Sequence, residues 1–507
     1  MTPAARRIPR HARWPFAGAA IGVIGLLLGA AALRSAQAGD VPESPRGVAD
    51  RPAAQPPHAA VPAANEPLCG ELRKIDGLTV LRLWGTARQR GFAHGYLLAA
   101  EIRQLLIDYL DEKRISGGPE TYLKISLPAA QTMLAVRPLY ERELRGIAEG
   151  VVARLGPAGA TIPALQRPVE YADLLALNAA SDWLQPLCSS FAVWGPLTAD
   201  GSTLTGRNLD WHRVRGMVGS QIVIAQLPAA KPRRAGWVGV GWPGFIGCLT
   251  GMSDQGVTVA IHDVPRQRPK QPFGLTPRGL ALREVIETVA GESTIADAAA
   301  LLRQRRAALG TNVLISRPAE PGSTAPVAAV LEYDGLTDRE SGVTVRLPQS
   351  FLAADARPAD SNRAAAAEGD AIANGDAHAG GDAAASPACA VACTNHYRAR
   401  RDAPACDRYA DMAKALSDLE RRHARLNLSA AWAMLAEVAE PRPEAGESLL
   451  TYHSVVFEPN ARRMQVALTH DNQPAARGPH TRLALSELLV APRSAARTSA
   501  APSGTTR

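Results

Sequence analysis

The chain has 507 residues, 46% of them apolar and 21% charged, with a formal net charge of +8. Such a composition suits a soluble globule with a large core and excludes collagen-like, coiled-coil and polytopic membrane classes. Five arginines and no acid lie in residues 1–38, which leaves +3 spread over the remainder, too little to argue for a nucleic-acid partner.

The first residues read as targeting. Arg6, Arg7, Arg10 and Arg13 precede the apolar run FAGAAIGVIGLLLGAAAL and then SAQA, in which Ala36 and Ala38 have the small-residue pattern that signal peptidase accepts. Residues 1–38 are therefore expected to be a signal peptide. An uncleaved anchor is the alternative, because the run is close to the shortest that spans a bilayer. Either way the body faces a periplasmic or external compartment, and membrane contact is expected only if the segment is retained. Residues 39–66, rich in Pro and Ala without periodicity, read as a disordered linker.

Order begins near Cys69. Residues 67–187 read as mostly helical: the strand LTVLRLWG, the amphipathic helix GFAHGYLLAAEIRQLLIDYLDEKR with Leu98, Ile102, Leu105, Leu106 and Tyr109 on one face, then RPLYERELRGIAEGVVARL and VEYADLLALNAASDWL. From Cys188 the periodicity changes. SSFAVWG and STLTGRNLDW are short β-like runs joined through Asp200-Gly201, a hairpin signal. QIVIAQL, GWVGVGWPGFIGCLTGM and GVTVAIHDV continue the sheet, two helices follow, and NVLISR, VAAVLEYD and GVTVRL return to strands. A low-complexity insertion occupies 355–388. CAVACTNHY, a helical pair and the hairpin SLLTYHSVVFEPNARRMQVALT complete the body 188–491, before a disordered tail at 492–507. Strands, helices and strands again predict an α+β layered fold, two sheets packed together with helices outside.

Six cysteines allow disulfides in an exported chain. Cys389 or Cys393 with Cys406 is the first pairing expected. The rival reading is a metal site from Cys389, Cys393, Cys406 and His396, whose spacing matches no zinc knuckle. Cys188 taken alone reads as a buried structural cysteine. Its place at the start of a strand, with Arg207, Asn208 and Asp210 on the return strand, points instead to a nucleophile whose thiolate a nearby cation would favour. Arg207 and Asp210 could equally be a surface ion pair, and Asn395 and His396 a turn.

The ordered series RGFAHGYLLAAEI, ELRGIAEG, CSS, GRNLDW, GFIGCLTGMSDQGV, TNHY and TYHSVVFEP, spread over roughly residues 70–475, resembles the penicillin (isopenicillin-N) acyltransferase-like family of autoproteolytic N-terminal-nucleophile cysteine hydrolases. The resemblance implies a four-layer αββα sandwich, no cofactor and no metal. It implies self-cleavage between Leu187 and Cys188, giving α and β chains that stay associated. Cys188 would then attack a small-molecule amide or acyl carbonyl, with its own α-amine as base, and pass the acyl group from a thioester to water as a hydrolase or to an amine as an acyltransferase. By the same resemblance Arg207 would hold the thiolate, Asp210 the amine, and Asn395 the oxyanion. His262, Asp263 and His396 are the candidates for a second oxyanion donor or for substrate contact. Relatives often carry Asn where this chain has Ser253, His262 and Asp263, which leaves the second donor open. Trp194, Trp211, Trp237 and Trp242 could line an apolar acyl site. Arg213, Arg215, Arg398, Arg400 and Arg401 could meet an anionic group, or be solvated. A reading from another class is a non-catalytic envelope binding protein that keeps the fold.

Overall fold

The computed structural model describes residues 67–184, 187–214, 216–230, 233–264, 273–307, 309–320, 325–334, 342–348, 389–400, 404–441 and 449–492. The expected signal segment 1–38, the linker 39–66, the insertion 355–388 and, apart from Pro492, the tail 492–507 lie outside them. Among the described residues no helix is long and apolar enough to cross a membrane.

Two sheets carry the fold. Their strands, in chain order, are β1 (Gly70–Ile75), β2 (Leu78–Leu83), β3 (Leu187–Gly195), β4 (Gly201–His212), β5 (Ile222–Gln226), β6 (Trp237–Gly241), β7 (Thr250–Ser253), β8 (Thr258–Val264), β9 (Gly310–Ser316), β10 (Ala328–Tyr333), β11 (Val343–Arg346), β12 (Ala390–Cys393), β13 (Leu449–Glu458), β14 (Arg463–Leu468) and β15 (Thr481–Ala484). The nine-stranded sheet has the order β1-β2-β5-β6-β7-β8-β9-β10-β11, and the six-stranded sheet β12-β3-β4-β13-β14-β15. Every pairing in them is antiparallel except β2 with β5, where Val80 lies against Val223 and Leu83 against Gln226.

Both faces of the central strands are covered. Every residue of IVIAQ in β5 and of TVAIHDV in β8 is buried, so these strands read as near-continuous apolar runs in place of a clean alternation. Val80, Val223, Val238 and Met252 of the larger sheet meet Val455, Phe457, Met464 and Val466 of the smaller one in a shared core. Helices cover the outer faces: α1 (Ala87–Leu97), α2 (Ala99–Asp111), α3 (Pro138–Gly159), α4 (Tyr171–Asn178), α5 (Ala180–Leu184), α6 (Arg278–Thr288) and α7 (Thr294–Arg303) on the nine-stranded side, and α8 (Asp407–Arg421) and α9 (Leu428–Glu437) on the six-stranded side. The architecture is the four-layer αββα sandwich that the sequence led us to expect.

Two refinements follow. The segment before Cys188 is mostly helical, yet it also supplies β1 and β2 to the larger sheet. The helix expected over VEYADLLALNAASDWL breaks at Ala179 into α4 and α5. One expectation is overturned, since none of the six cysteines is in a disulfide. The reason is local: Cys393 Sγ lies 3.7 Å from Thr394 O, while Cys406 Sγ lies 3.6 Å from Thr394 Oγ1, so both thiols turn to the same threonine and not to each other. No group of three or more metal-ligating side chains occurs among the described residues, and the rival metal reading of Cys389, Cys393, Cys406 and His396 has no cluster to rest on.

The motifs RGFAHGY and ELRGIAEG turn out to be one helix–helix contact. A Cβ on Gly91 or Gly95 of α1 would lie 2.0 Å from Glu143 O or Ile147 O of α3, and one on Gly150 would lie 2.2 Å from Phe92 O. Hydrogen at these positions is what lets the two backbones touch. Gly91→Ala should cost about 3 kcal/mol, because the obstacle is backbone and cannot rotate away. Urea unfolding measures it, and a loss under about 0.5 kcal/mol would show that the helices can separate without penalty.

Candidate active site

Strand alternation sorts the site into two faces. In the β3–β4 pair Leu187 lies opposite Asp210, Cys188 opposite Leu209, and Ser190 opposite Arg207. Residues directly opposite share a face and successive residues alternate, so Cys188 and Arg207 point toward the other sheet while Asp210 points toward the helices. The contacts agree. Arg207 reaches across the sandwich, donating from Nε to Thr250 Oγ1 at 3.1 Å and from Nη1 to Ile261 O at 2.5 Å. Asp210 instead accepts from Arg408 Nη1 of α8 at 2.7 Å and from Thr451 Oγ1 at 2.5 Å. The surface ion pair is thereby excluded, since Arg207 and Asp210 are both fully buried and lie on opposite faces.

The peptide nitrogen of Cys188 donates to Asn395 Oδ1 at 2.8 Å, and Arg408 Nη2 donates to the same oxygen at 3.0 Å. Asn395 Nδ2 donates to Asp263 O at 2.8 Å, so three partners fix which way the amide faces. Asn395 is itself held by its neighbours, because Asn312 Nδ2 donates to the carbonyls of both Thr394 and His396, at 2.9 and 2.8 Å. Cys188, Arg207, Asp210 and Asn395 thus converge on the start of β3, and Leu187 precedes them on the same strand.

Burial dominates the electrostatics. It pushes the Cys188 thiol up to about 11, against the opposing pull of the Arg207 cation. It also pushes the Asp210 carboxyl up to about 6, with Arg408 pulling the other way. Arg207 is fully buried, yet its guanidinium meets one hydroxyl and one carbonyl, and its Nη2 has no hydrogen-bond partner among the described residues. A buried cation in that condition is costly unless an anion arrives.

The remaining candidates divide. The Asp263 carboxylate is taken by Arg278, at 2.6 Å from Nη1 and 3.2 Å from Nη2, while Arg278 Nε donates to Asp182 at 2.7 Å. With one guanidinium between two buried carboxylates, burial raises both, Asp263 to about 7. Asp263 therefore hydrogen-bonds the site through its backbone, while its carboxylate acts on the Cys188 thiol only through its charge. His262 is committed elsewhere: its Nδ1–H donates to Asn312 O at 3.4 Å and its Nε2 accepts from Ser190 Oγ at 2.7 Å, and burial holds it neutral. The His396 side chain hydrogen-bonds Cys406.

An apolar pocket with an interior of about 30 Å³ is lined from the same hydrophobic cluster that holds Cys188. Tyr109, Leu177, Trp211, Met217, Trp242 and Phe245 line it, and Trp211 falls on the Cys188 face of β4. Trp194 and Trp237 are core residues instead. Arg398 lies 3.4 Å over the Tyr409 ring, and Arg400 pairs with Asp334, so neither is free to receive an anion. Arg215 and Arg401 lie outside the described residues. Sequence reasoning missed Arg408, which joins Asp210 to Asn395; nothing in CDRYAD marks it out among fifty arginines. Thr451 lies within TYHSVVFEP, where nothing local marks its hydroxyl as a partner of Asp210.

No family model matches the chain. It is 27% identical over 229 residues to an uncharacterized protein of Archaeoglobus fulgidus, covering 39% of this chain and 34% of that one. Over 199 residues it is 23% identical to protein dcd1B of Dictyostelium discoideum, covering 35% and 36%. The matched stretch spans about a third of the length of each of these curated relatives. Among solved structures, a Caenorhabditis elegans ortholog of N-acylethanolamine-hydrolyzing acid amidase superposes with TM-score 0.35 at 14% identity, covering 58% of this chain and 100% of that one. A single-residue variant of conjugated bile acid hydrolase from Clostridium perfringens gives 0.36 at 14%, covering 60% and 94%, and penicillin V acylase from Agrobacterium tumefaciens gives 0.32 at 11%, covering 56% and 83%. With TM-scores this low, the fold rests on the sheet order and layers described above.

Proposed function

We propose that the chain is an exported, autoproteolytic cysteine amidohydrolase in which the Leu187–Cys188 bond is cut and Cys188 then acts as an N-terminal nucleophile. The observation that carries this reading is the sorting of partners around one residue: on the thiol face a buried guanidinium with no ion pair among the described residues, and an Asp210–Arg408–Asn395 set at the backbone nitrogen. A structural cysteine needs neither.

In the cut, the Cys188 sulfur attacks the Leu187 carbonyl carbon, the C–N bond breaks, and the chain passes through a thioester. The break frees the Cys188 amine, and water then hydrolyses the thioester to the Leu187 carboxylate and the Cys188 thiol. That amine has an ordinary pKa of about 7.7 to 8.0 and can take the thiol proton at working pH, forming an ammonium–thiolate pair. Arg207 is on the thiolate side of the strand, and Asp210 on the side of the ammonium, which would draw the carboxyl back down from about 6.

Substrate chemistry repeats the same steps on another amide: attack, a thioester on Cys188, loss of the amine, and hydrolysis. Asn395 is the side-chain oxyanion donor. For the second donor the backbone N–H of Asp263 is favoured over its side chain. Ile261 N–H is turned away from β9 to Leu249 O, and the two-residue period turns Asp263 N–H and C=O the same way, toward Asn395. The apolar lining of that pocket favours an amide whose acyl group is hydrophobic, with water as acceptor. A panel of N-acyl amides graded in acyl length tests this. Amine release should rise with apolar acyl size, and hydroxylamine should capture the acyl group from Cys188. No release from any member, with Cys188 unacylated, would leave a binding protein as the better reading.

A further inference from the structure

His453 is fully buried, 0% exposed, and plays no part in the steps above. Its surroundings fix every proton around it. Gln221 Nε2 donates to Tyr452 O at 2.8 Å, which turns Gln221 Oε1 toward His453 Nδ1, also at 2.8 Å. An amide oxygen only accepts, so Nδ1 carries the hydrogen and Nε2 is bare. Thr250 Oγ1 lies 2.9 Å from that bare nitrogen and must donate to it. The same oxygen then has only lone pairs to offer Arg207, whose Nε–H it accepts at 3.1 Å. Burial first and the Arg207 cation second hold His453 far below its ordinary value, so the ring stays neutral and this direction does not reverse. With Nε anchored by Thr250 and Nη1 by Ile261 O, Nη2 remains the buried donor without a partner among the described residues.

We infer that Gln221, His453 and Thr250 form a positioning relay that aims the Arg207 guanidinium at the Cys188 sulfur. The inference rests on the proposed nucleophile. Two anchors on one planar group leave it no rotation, so the third donor is pre-set before any thiolate forms. Thr250 acts only through Arg207, and His453 only through Thr250. Two features already described require this precision. Among the described residues no carboxylate hydrogen-bonds Arg207 to orient it, and the thiol is buried deeply enough to resist ionisation unless the cation is well placed.

The test follows the pH dependence of Cys188 alkylation by iodoacetamide, with kcat and KM on one amide substrate, in the full-length processed protein. Thr250→Val removes the hydroxyl at nearly constant volume. Its alkylation midpoint should rise by about one pH unit, and kcat should fall about tenfold at unchanged KM. Thr250→Ser should restore both, which a merely structural threonine would not require. His453→Gln, read in the same way, covers a Thr250→Val chain that fails to fold. Unchanged midpoints and kcat in Thr250→Val and His453→Gln, while Arg207→Leu moves both, would falsify the relay alone. If Arg207→Leu also leaves both unchanged, the role of Arg207 falls and the relay with it.

Discussion

Intact-mass measurement of the purified protein should give two fragments, the second beginning at Cys188, while Cys188→Ala should give one uncut chain. Hydrolysis should fall at least about 10⁴-fold in that variant, since removal of a nucleophile leaves only the contribution of binding and oxyanion contacts. The substitution removes only the sulfur, because the backbone N–H that Asn395 Oδ1 accepts remains. The folded chain should therefore persist, and circular dichroism would separate lost chemistry from lost structure. A single uncut chain from both proteins would sink the autoprocessing proposal. Two fragments from both would assign the cut to a foreign protease.

Arg408→Met should be the most damaging substitution outside the nucleophile. Arg408 donates to Asp210 at 2.7 Å and to Asn395 at 3.0 Å, and its Nε lies 3.7 Å from Glu440. Removing it leaves two buried carboxylates without that cation, a loss of about 3 to 5 kcal/mol. The pH dependence gives the sign. The Asp210 carboxyl is raised to about 6 from an ordinary 3.8, so between those values the folded chain binds a proton that the unfolded chain has released. Stability contributed by this group accordingly falls as pH rises through that window. Without Arg408 the folded value climbs further and the loss continues to higher pH, so in the uncut Cys188→Ala background urea denaturation should find the Arg408→Met chain closer to its parent at pH 5 than at pH 8. Equal losses at both would mean that Asp210 is not the group left stranded. Arg408→Lys keeps a charge but not the two-armed fork, and should recover stability more than activity.

Much of the site was legible because it lies on a hairpin. Once Asp200-Gly201 marks the turn, the spacing of Cys188, Arg207 and Asp210 follows from strand geometry, and period-two alternation separates the partners of thiol and amine. Asn395 came from resemblance, since nothing local says that β12 lies beside β3. Arg408 and Asp263 were harder for different reasons. Arg408 works through the docking of a helix, which leaves no trace in spacing. Asp263 reads as a carboxylate, but its side chain is used by Arg278 and it meets Asn395 only through backbone, which any residue can supply. The disulfide expectation failed because proximity in sequence says nothing about the direction of two sulfurs. The parallel pairing of β2 with β5 joins residues more than a hundred positions apart and has no local signature.

That parallel pairing would change character if the chain were cut at Leu187–Cys188. Strands β1 and β2 and helices α1 to α5 would then belong to one polypeptide, and the rest of the nine-stranded sheet to another. What had been the order of a single molecule would become an equilibrium between two, subject to mass action, with a melting temperature that depends on concentration. Refolding from separated fragments would require an encounter that the uncut chain never needs, because its tether supplies a high effective concentration. The cleft lined by Tyr109 and Leu177 from the first fragment and Trp211 and Trp242 from the second would disappear on dissociation. Dilution would then silence the enzyme even with every residue around Cys188 intact.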